Sequence, residues 1–217
     1  MEKNRIVHGT DAWHIARSGK FTPSELYRLM TEPKSKAETI SEGAKTYVKE
    51  KIAETLTVDI SNEKMFTGNN ATEWGNSYEG EAIELFCDMI NTEIILPGFI
   101  NYDDNFGGTP DGLARDNIFG IEVKCPYNPS IHLDNLLLDS VAFKKERKEY
   151  YWQIQGYSLI TGIENWYFIS YDPRQIDYKI KILPIKRNED DIRLIKEKLQ
   201  LANDYKQQLI NNLKQQK

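Results

Sequence analysis

The sequence pattern changes after Asn91, and this change limits the possible fold more than any other feature. Residues 71–90 carry apolar side chains at intervals of three and four, the spacing of a helix with one buried face. The chain then turns to short runs of β-forming residues separated by Asp, Asn and Gly, as in strands joined by tight turns. These runs cover 93–96, 98–102 and 118–125. Since an antiparallel sheet is the simplest arrangement for them, we expect an α/β protein of the α+β type.

The rest of the chain adds helices and strands around this centre. Apolar spacing predicts a helix at 41–56 and an amphipathic C-terminal helix at 189–217, and β-forming runs predict strands at 166–171 and 178–183. Residues 22–25, Thr-Pro-Ser-Glu, have the spacing of a capping box and predict a short helix that begins after Thr22. With 217 residues and no linker rich in Pro, Gly or Ser, residues 1–217 are expected to form a single domain.

Composition excludes several classes of protein. No apolar run is long enough to span a membrane, so no membrane span is expected. The N-terminal residues are not followed by the apolar segment of a signal peptide, and we therefore predict a cytoplasmic protein. The two cysteines form no CxxC pair, which argues against a zinc ribbon or a disulfide scaffold, so a metal would be held by oxygen atoms. The net charge of −5 means that nucleic-acid binding would require basic side chains concentrated in a channel.

The strongest chemical signal is Pro-Asp-Gly at 110–112 followed by Glu122-Val123-Lys124. Glu122 and Lys124 are two residues apart on a predicted strand and therefore point to the same face. A hairpin would place Asp111 beside them, so that two carboxylates and a lysine converge. Carboxylates and water are preferred ligands of Mg²⁺ and Mn²⁺, and a lysine beside the metal could position the attacking water or offset charge in phosphate hydrolysis. By itself this pattern is also compatible with an ordinary turn and a surface ion pair.

Other positions could complete such a site. Glu79, on the 71–90 helix, could add a third carboxylate, and Gln153, one helical turn before Tyr157, could orient water or lysine. Arg17 and Ser24 could form an anion pocket from a guanidinium, a hydroxyl and free backbone N–H groups. Each also has a plain structural alternative as a solvated glutamate, a buried amide, a surface arginine or a helix cap.

The order of these motifs resembles a known family. The first block is Asp-Ala-Trp-His at 11–14, leading to Arg17 and to Thr22 and Ser24. The blocks that follow are Trp-Gly at 74–75 leading to Tyr-Glu at 78–79, Pro-Asp-Gly-Leu at 110–113, Glu-Val-Lys-Cys-Pro at 122–126, Gln-Ile-Gln at 153–155, and Trp-Tyr-Phe at 166–168 with Tyr-Asp-Pro-Arg at 171–174. They occur in the order found in the bacteriophage lambda exonuclease family of alkaline exonucleases, or YqaJ-type viral recombinases. The resemblance runs from about residue 11 to 174.

The resemblance implies a PD-(D/E)xK restriction-endonuclease-like fold, with a central mixed, curved sheet flanked by helices. It implies Mg²⁺-dependent 5′-to-3′ digestion of linear double-stranded DNA to mononucleotides, with Mn²⁺ as a substitute and two ions per site. Asp111, Glu122, the Val123 carbonyl and Glu79 would be the metal ligands. Among the site residues, Lys124 would be the catalytic lysine and Gln153 the glutamine near the attacking water.

The resemblance also implies partners and a phosphate pocket. Arg17, Ser24 and Thr109 would bind the 5′ phosphate, with Thr109 standing where the family has a serine. Relatives form ring-shaped homotrimers around DNA and leave a 3′ overhang for a phage single-strand annealing protein; no membrane is involved. A further family aspartate aligns with either Asp103 or Asp104.

Two other functions remain compatible with these residues. A restriction-type endonuclease would share the fold and the chemistry but would cut closed circular DNA, because fold and motif do not fix how DNA is presented. A catalytically inactive DNA-end-binding protein would bind ends without product, although the intact Asp111, Glu122 and Lys124 argue against it.

Overall fold

The computed structural model describes residues 6–57 and 70–216. The absence of a leader was predicted partly from residues 1–5, and these lie outside the described range. The described helices are α1 (Asp11–Arg17), a 3₁₀ helix (Pro23–Arg28), α2 (Glu42–Leu56), α3 (Asn70–Ile90), α4 (Pro129–Leu137), α5 (Ser140–Glu146), α6 (Lys148–Thr161) and α7 (Glu189–Lys214).

Five strands form the central sheet, in the order β1-β4-β5-β6-β7. Their bounds are β1 (Ile94–Ile95), β4 (Gly112–Ala114), β5 (Phe119–Lys124), β6 (Asn165–Tyr171) and β7 (Ile180–Lys186), while β2 (Ile100–Asn101) and β3 (Gly107–Gly108) form a separate antiparallel pair. Strands β5 and β6 are parallel, and the other neighbours in the sheet are antiparallel. The sheet is therefore mixed and flanked by helices, which confirms the predicted fold class.

The parallel pair β5 and β6 needs a long crossover, since parallel neighbours cannot be joined by a tight turn. Helices α4, α5 and α6 supply it, and α6 then packs on one face of the sheet. Helix α3 packs on the other face, where Ala82 and Phe86 contact Ile121 and Val123 of β5. Because both faces of β5 are covered, almost the whole strand is buried, and its polar residues must find partners inside the protein.

The capping box predicted at Thr22 is wrong. The segment is a 3₁₀ helix, and the Thr22 side chain makes no capping hydrogen bond to it. The Thr22 hydroxyl instead lies 3.2 Å from the Ser24 hydroxyl, and the Glu25 carboxylate accepts from the Arg28 guanidinium at 3.0 Å. The Thr22 backbone N–H, which a capping box would pair with Glu25, donates instead to the Tyr47 hydroxyl at 3.1 Å, so Glu25 is left to pair with Arg28.

The C-terminal helix α7 packs against α2. Helix α7 buries Ile192, Ile195, Leu199 and Ala202 in a cluster that also contains residues of α2 and the 3₁₀ helix. No helix among residues 6–57 and 70–216 combines the length and apolarity that a membrane span requires. The assignment of residues 1–217 to one domain stays a prediction.

Candidate active site

The β4–β5 hairpin brings Asp111 to β5. Asp111 directly precedes β4, which runs antiparallel to β5 with Gly112 opposite Ile121. One carboxylate oxygen of Asp111, Oδ2, accepts the backbone N–H of Val123 at 2.7 Å. This bond fixes Asp111 between the positions of Glu122 and Lys124, as the hairpin pattern in the sequence predicts.

Glu122 and Lys124 form an ion pair that satisfies only part of the glutamate. The Lys124 ammonium donates to Glu122 Oε1, and the glutamate is fully buried. The other carboxylate oxygen, Oε2, is buried without a hydrogen-bond partner. Because an unpaired buried charge is costly, this oxygen marks a place where a further positive group would be stabilising.

Three carboxyl groups share this site with a single lysine. Burial, reinforced by Asp111, raises the pKa of Glu122, and burial raises the pKa of Asp111. Burial, again reinforced by Asp111, raises the pKa of Glu79 to about 7. Burial alone would lower the pKa of Lys124, but Glu122 and Asp111 outweigh it and raise that pKa, so the lysine stays protonated.

This charge pattern fits a divalent cation. A cation would relieve the repulsion among the three carboxyl groups and occupy the free side of Glu122 Oε2. Within the described ranges, no group of three or more His, Cys, Asp or Glu side chains is close enough to form a ready-made metal cluster. The fit therefore rests on the orphan oxygen and on the donor chemistry of Asp111, Glu122 and Glu79.

The expected phosphate-binding residues share one cavity with two of these carboxylates. The cavity has a volume of about 360 Å³. The expected site residues that line it are Arg17, Ser24, Glu79, Thr109, Asp111 and Gln153. The remaining three, Glu122, Val123 and Lys124, lie on β5 next to Asp111. The structure thus brings the metal-ligand candidates and the phosphate-pocket candidates together.

Trp13 holds the phosphate side of the cavity in place. Its indole Nε1 donates to the Thr109 hydroxyl at 2.8 Å, and the Arg17 guanidinium lies over its ring at 5.0 Å from the centroid. His8 packs edge-on against the same ring at 4.4 Å and also lines the cavity. The sequence motif contains Trp13, but nothing in its spacing shows that it joins α1 to the loop before β4.

Helix α6 closes the other side. The Gln153 amide donates to the Tyr157 hydroxyl at 3.2 Å, and that hydroxyl donates to the Thr109 carbonyl at 2.9 Å. Gly108 makes this approach possible, because a Cβ there would lie 2.6 Å from Pro23 and 3.1 Å from Tyr157. Tyr157 is therefore a supporting residue of the cavity, and its i, i+4 relation to Gln153 is visible in the sequence.

Asp103 and Asp104 lie in the turn between β2 and β3 and do not line the cavity. The Asp103 carboxylate accepts the backbone N–H groups of Asn105 and Phe106, each at 2.7 Å. The backbone carbonyls of both aspartates accept from the Lys20 ammonium. The structure gives these aspartates a role in shaping the turn.

Comparisons with known proteins show the fold and the family of the chain. The chain has the fold of the alkaline exonucleases, which are nucleases. It belongs to the YqaJ-like viral recombinase domain family, whose model matches residues 12–164. Among curated proteins, no significant sequence match is found.

Solved structures show how far the likeness extends. The alkaline exonuclease LHK-Exo from Laribacter hongkongensis is 26% identical, with a TM-score of 0.78 over 95% of this chain and 97% of that chain. A structure of LHK-Exo in complex with dAMP matches equally well. A phage-related exonuclease from Haemophilus somnus 129PT is 23% identical, with a TM-score of 0.70 over 89% of this chain and 96% of that chain, and shares the fold. The chain is thus homologous to alkaline exonucleases over nearly its whole length.

Proposed function

We propose that the chain is a Mg²⁺-dependent exonuclease that digests one strand of linear double-stranded DNA from the 5′ end. It would release mononucleotides and leave a 3′ single-stranded overhang for phage-type recombination by strand annealing. The observation that carries this proposal is the shared cavity, in which Arg17, Ser24 and Thr109 face the same space as Glu79 and Asp111. The dAMP complex of LHK-Exo supports it, since dAMP is a nucleoside monophosphate like the expected products.

The phosphate side of the cavity would recognise the DNA end. A guanidinium and two hydroxyls suit a terminal phosphate, which carries more negative charge than an internal phosphodiester. Arg17 is held against Trp13, so its guanidinium is positioned before the substrate arrives. After each cleavage the next nucleotide would present a new 5′ phosphate to the same pocket, which accounts for stepwise digestion from the end.

The carboxylate side would perform the hydrolysis. Asp111, Glu122, Glu79 and the Val123 carbonyl would hold Mg²⁺, or Mn²⁺ in its place, with two ions per site. When bound, the metal would polarise the phosphate and lower the pKa of water. Lys124, kept protonated by its carboxylate neighbours, would donate hydrogen bonds to the phosphate oxygens or the attacking water and offset developing negative charge. Gln153, held by Tyr157, would orient the water.

The proposed assembly rests on the family resemblance, and it would explain how an acidic chain stays on DNA. A net charge of −5 gives no general attraction to DNA, so a ring-shaped homotrimer with basic side chains in its channel would explain sustained contact with the duplex. The 3′ overhang would then pass to a single-strand annealing protein. Gel filtration with light scattering tests the trimer, and a monomer at working concentration would contradict it.

Polarity and end recognition can be tested in one assay. Linear duplexes carry a 5′ phosphate on only one strand, and each strand has its own fluorescent label. We expect the phosphorylated strand to be digested first, with release of mononucleotides. Preferential digestion of the other strand, or digestion from 3′ ends, would contradict the proposed polarity.

Arg17→Ala locates the phosphate pocket in the same assay. We expect the rate advantage of the 5′-phosphorylated end over a 5′-hydroxyl end to shrink about tenfold or more, because a charge-assisted contact is lost. Arg28→Ala is the matched control, since Arg28 pairs with Glu25 and Glu50 and does not line the cavity. An unchanged ratio in Arg17→Ala would place phosphate recognition elsewhere.

A further inference from the structure

Tyr150 lies beside the candidate catalytic lysine. It belongs to the first turn of α6, and its ring centroid is 5.3 Å from the Lys124 ammonium nitrogen, within the range of a cation–π contact. Tyr150 precedes Gln153 by three residues and Tyr157 by seven, so one face of α6 provides all three residues to the site. This periodicity is visible in the sequence, but the contact with β5 depends on the tertiary fold.

The ring is held by packing. It stacks on Phe168 of β6, with centroids 5.5 Å apart and planes at 20°, and Phe168 in turn contacts Phe143 at 4.6 Å. Phe168 is buried and lies opposite Glu122 in the β5–β6 register. The aromatic layer therefore extends from the core to the lysine and fixes the ring relative to β5.

The structure uses the ring of Tyr150 and not its hydroxyl. In the described part of the chain, the Tyr150 hydroxyl makes no hydrogen bond, whereas the neighbouring Tyr151 hydroxyl donates to Asp191. A ring attracts an ammonium group without taking a proton from it and without using a carboxylate oxygen. Glu122 is the only described carboxylate that forms an ion pair with Lys124, and as a metal ligand it would hold the lysine less firmly.

We propose that Tyr150 is a positioning residue that keeps the Lys124 ammonium in the site through a cation–π contact. The inference rests on the proposed function, because it assumes that Lys124 acts in phosphodiester cleavage. The ring would keep its contact with the Lys124 ammonium when the Glu122 carboxylate binds a metal ion. Its effect on the reaction is expected in kcat, since Tyr150 does not line the cavity in which the DNA end would bind.

Substitution of the ring separates packing from electrostatics. Tyr150→Phe should keep kcat within about twofold, and Tyr150→Leu should lower it about three- to thirtyfold with little change in KM. Because Tyr150→Leu could also disturb packing, mono-, di- and trifluorophenylalanine are placed at position 150. They keep the ring shape while weakening its attraction for cations, so log kcat should fall stepwise. The same series at Tyr151, whose ring contacts Lys144, is the control and should leave kcat unchanged.

A measurement without metal or DNA tests the contact itself. In protein labelled with ¹³Cε-lysine, the ε-methylene signal of Lys124, assigned by its loss in Lys124→Arg, should be shifted upfield by the Tyr150 ring current. It should move toward the free-lysine position in Tyr150→Leu and stay in place in Tyr151→Leu. A wild-type enzyme that cleaves DNA with a flat fluorination series or an unshifted signal would overturn the role of Tyr150 alone. A wild-type protein that releases no nucleotides would overturn the proposed function and, with it, this role.

Discussion

Two neighbouring tyrosines of α6, Tyr150 and Tyr151, each contact a lysine that forms an ion pair with a carboxylate. The two ion pairs differ in their hydrogen bonds. Lys144 contacts the Tyr151 ring at 5.0 Å and donates to both carboxylate oxygens of Asp191, at 2.9 and 2.7 Å. Tyr151 adds a third hydrogen bond to the same carboxylate. Lys124, over Tyr150, donates to only one oxygen of Glu122. Both carboxylate oxygens of Asp191 therefore have hydrogen-bond partners, whereas Oε2 of Glu122 is buried without one.

This difference separates a structural ion pair from a candidate functional one. The Asp191 carboxylate has hydrogen-bond partners for both oxygens and so costs little to bury. The Glu122 carboxylate has one unpaired oxygen and a raised pKa, so burying it without a bound cation costs stability. Such a cost is typical of a site prepared for a charged ligand. Lys144 and Asp191 therefore provide matched controls for Lys124 and Glu122 within one molecule.

Replacing the two lysines should give the largest contrast. Lys124→Met should lower kcat by about a hundredfold to a thousandfold, because charge stabilisation in the transition state is lost. Binding of 5′-phosphorylated DNA in EDTA should persist, since Arg17, Ser24 and Thr109 of the phosphate pocket are unchanged. Lys144→Met should leave kcat within about threefold. Nucleotide release and fluorescence anisotropy measure the two effects, and near-normal turnover in Lys124→Met would refute its catalytic role.

For stability, replacing the acid of the structural pair, Asp191, should have a larger effect than replacing Glu122. In EDTA, Asp191→Asn should lower the free energy of unfolding by about 1–3 kcal/mol, because charge-assisted bonds to Lys144 and Tyr151 are weakened. Glu122→Gln should change it less, since the amide keeps an acceptor for Lys124 and removes the unpaired charge. Urea unfolding checks this order. A greater loss in Glu122→Gln than in Asp191→Asn would mean that both ion pairs are structural.

The smallest expected effect is a pH dependence that arises from Glu79. Its pKa in the folded protein is about 7, above the ordinary value of 4.5, so the folded state keeps a proton that the unfolded state releases. The resulting stability is present below pH 4.5 and is lost as the pH rises through 7. Without metal, the melting temperature should fall by a few degrees between pH 6 and pH 8.

Glu79→Gln is the control for this pH dependence and should make that part of the profile less steep, while Glu122, whose pKa burial also raises, continues to titrate. Mg²⁺ should raise the melting temperature of the wild type more at pH 8 than at pH 6, because the carboxylate is then free of its proton. Differential scanning fluorimetry provides both curves. Parallel pH profiles for the wild type and Glu79→Gln would show that Glu79 does not titrate in this range.

Local patterns were sufficient to predict much of the fold and of the candidate site. The strand alternation that puts Glu122 and Lys124 on one face, and the helical spacing of Gln153 and Tyr157, are short-range properties. The family resemblance implied Arg17, Ser24 and Thr109 as phosphate-binding residues, and the structure brings these three residues to the cavity.

Contacts between distant segments were not predictable. The capping box at Thr22 failed because the Thr22 backbone N–H donates to Tyr47, 25 positions away, and Glu25 pairs with Arg28. Trp13 reaches Thr109 across 96 positions, and Tyr150 reaches Lys124 from the next layer of the fold. Neither contact has a spacing signal, since each depends on how α1 and α6 pack against the sheet.

The most direct test of the central claim is a time course on linear duplex DNA and a closed circle in the same tube, with Mg²⁺ and with EDTA. The account predicts mononucleotides from the linear DNA in Mg²⁺ alone, with the circle intact throughout. Discrete fragments from the circle would make the protein an endonuclease. Binding of DNA ends without product under any divalent metal would make it an inactive end-binding protein, and either result would contradict the account.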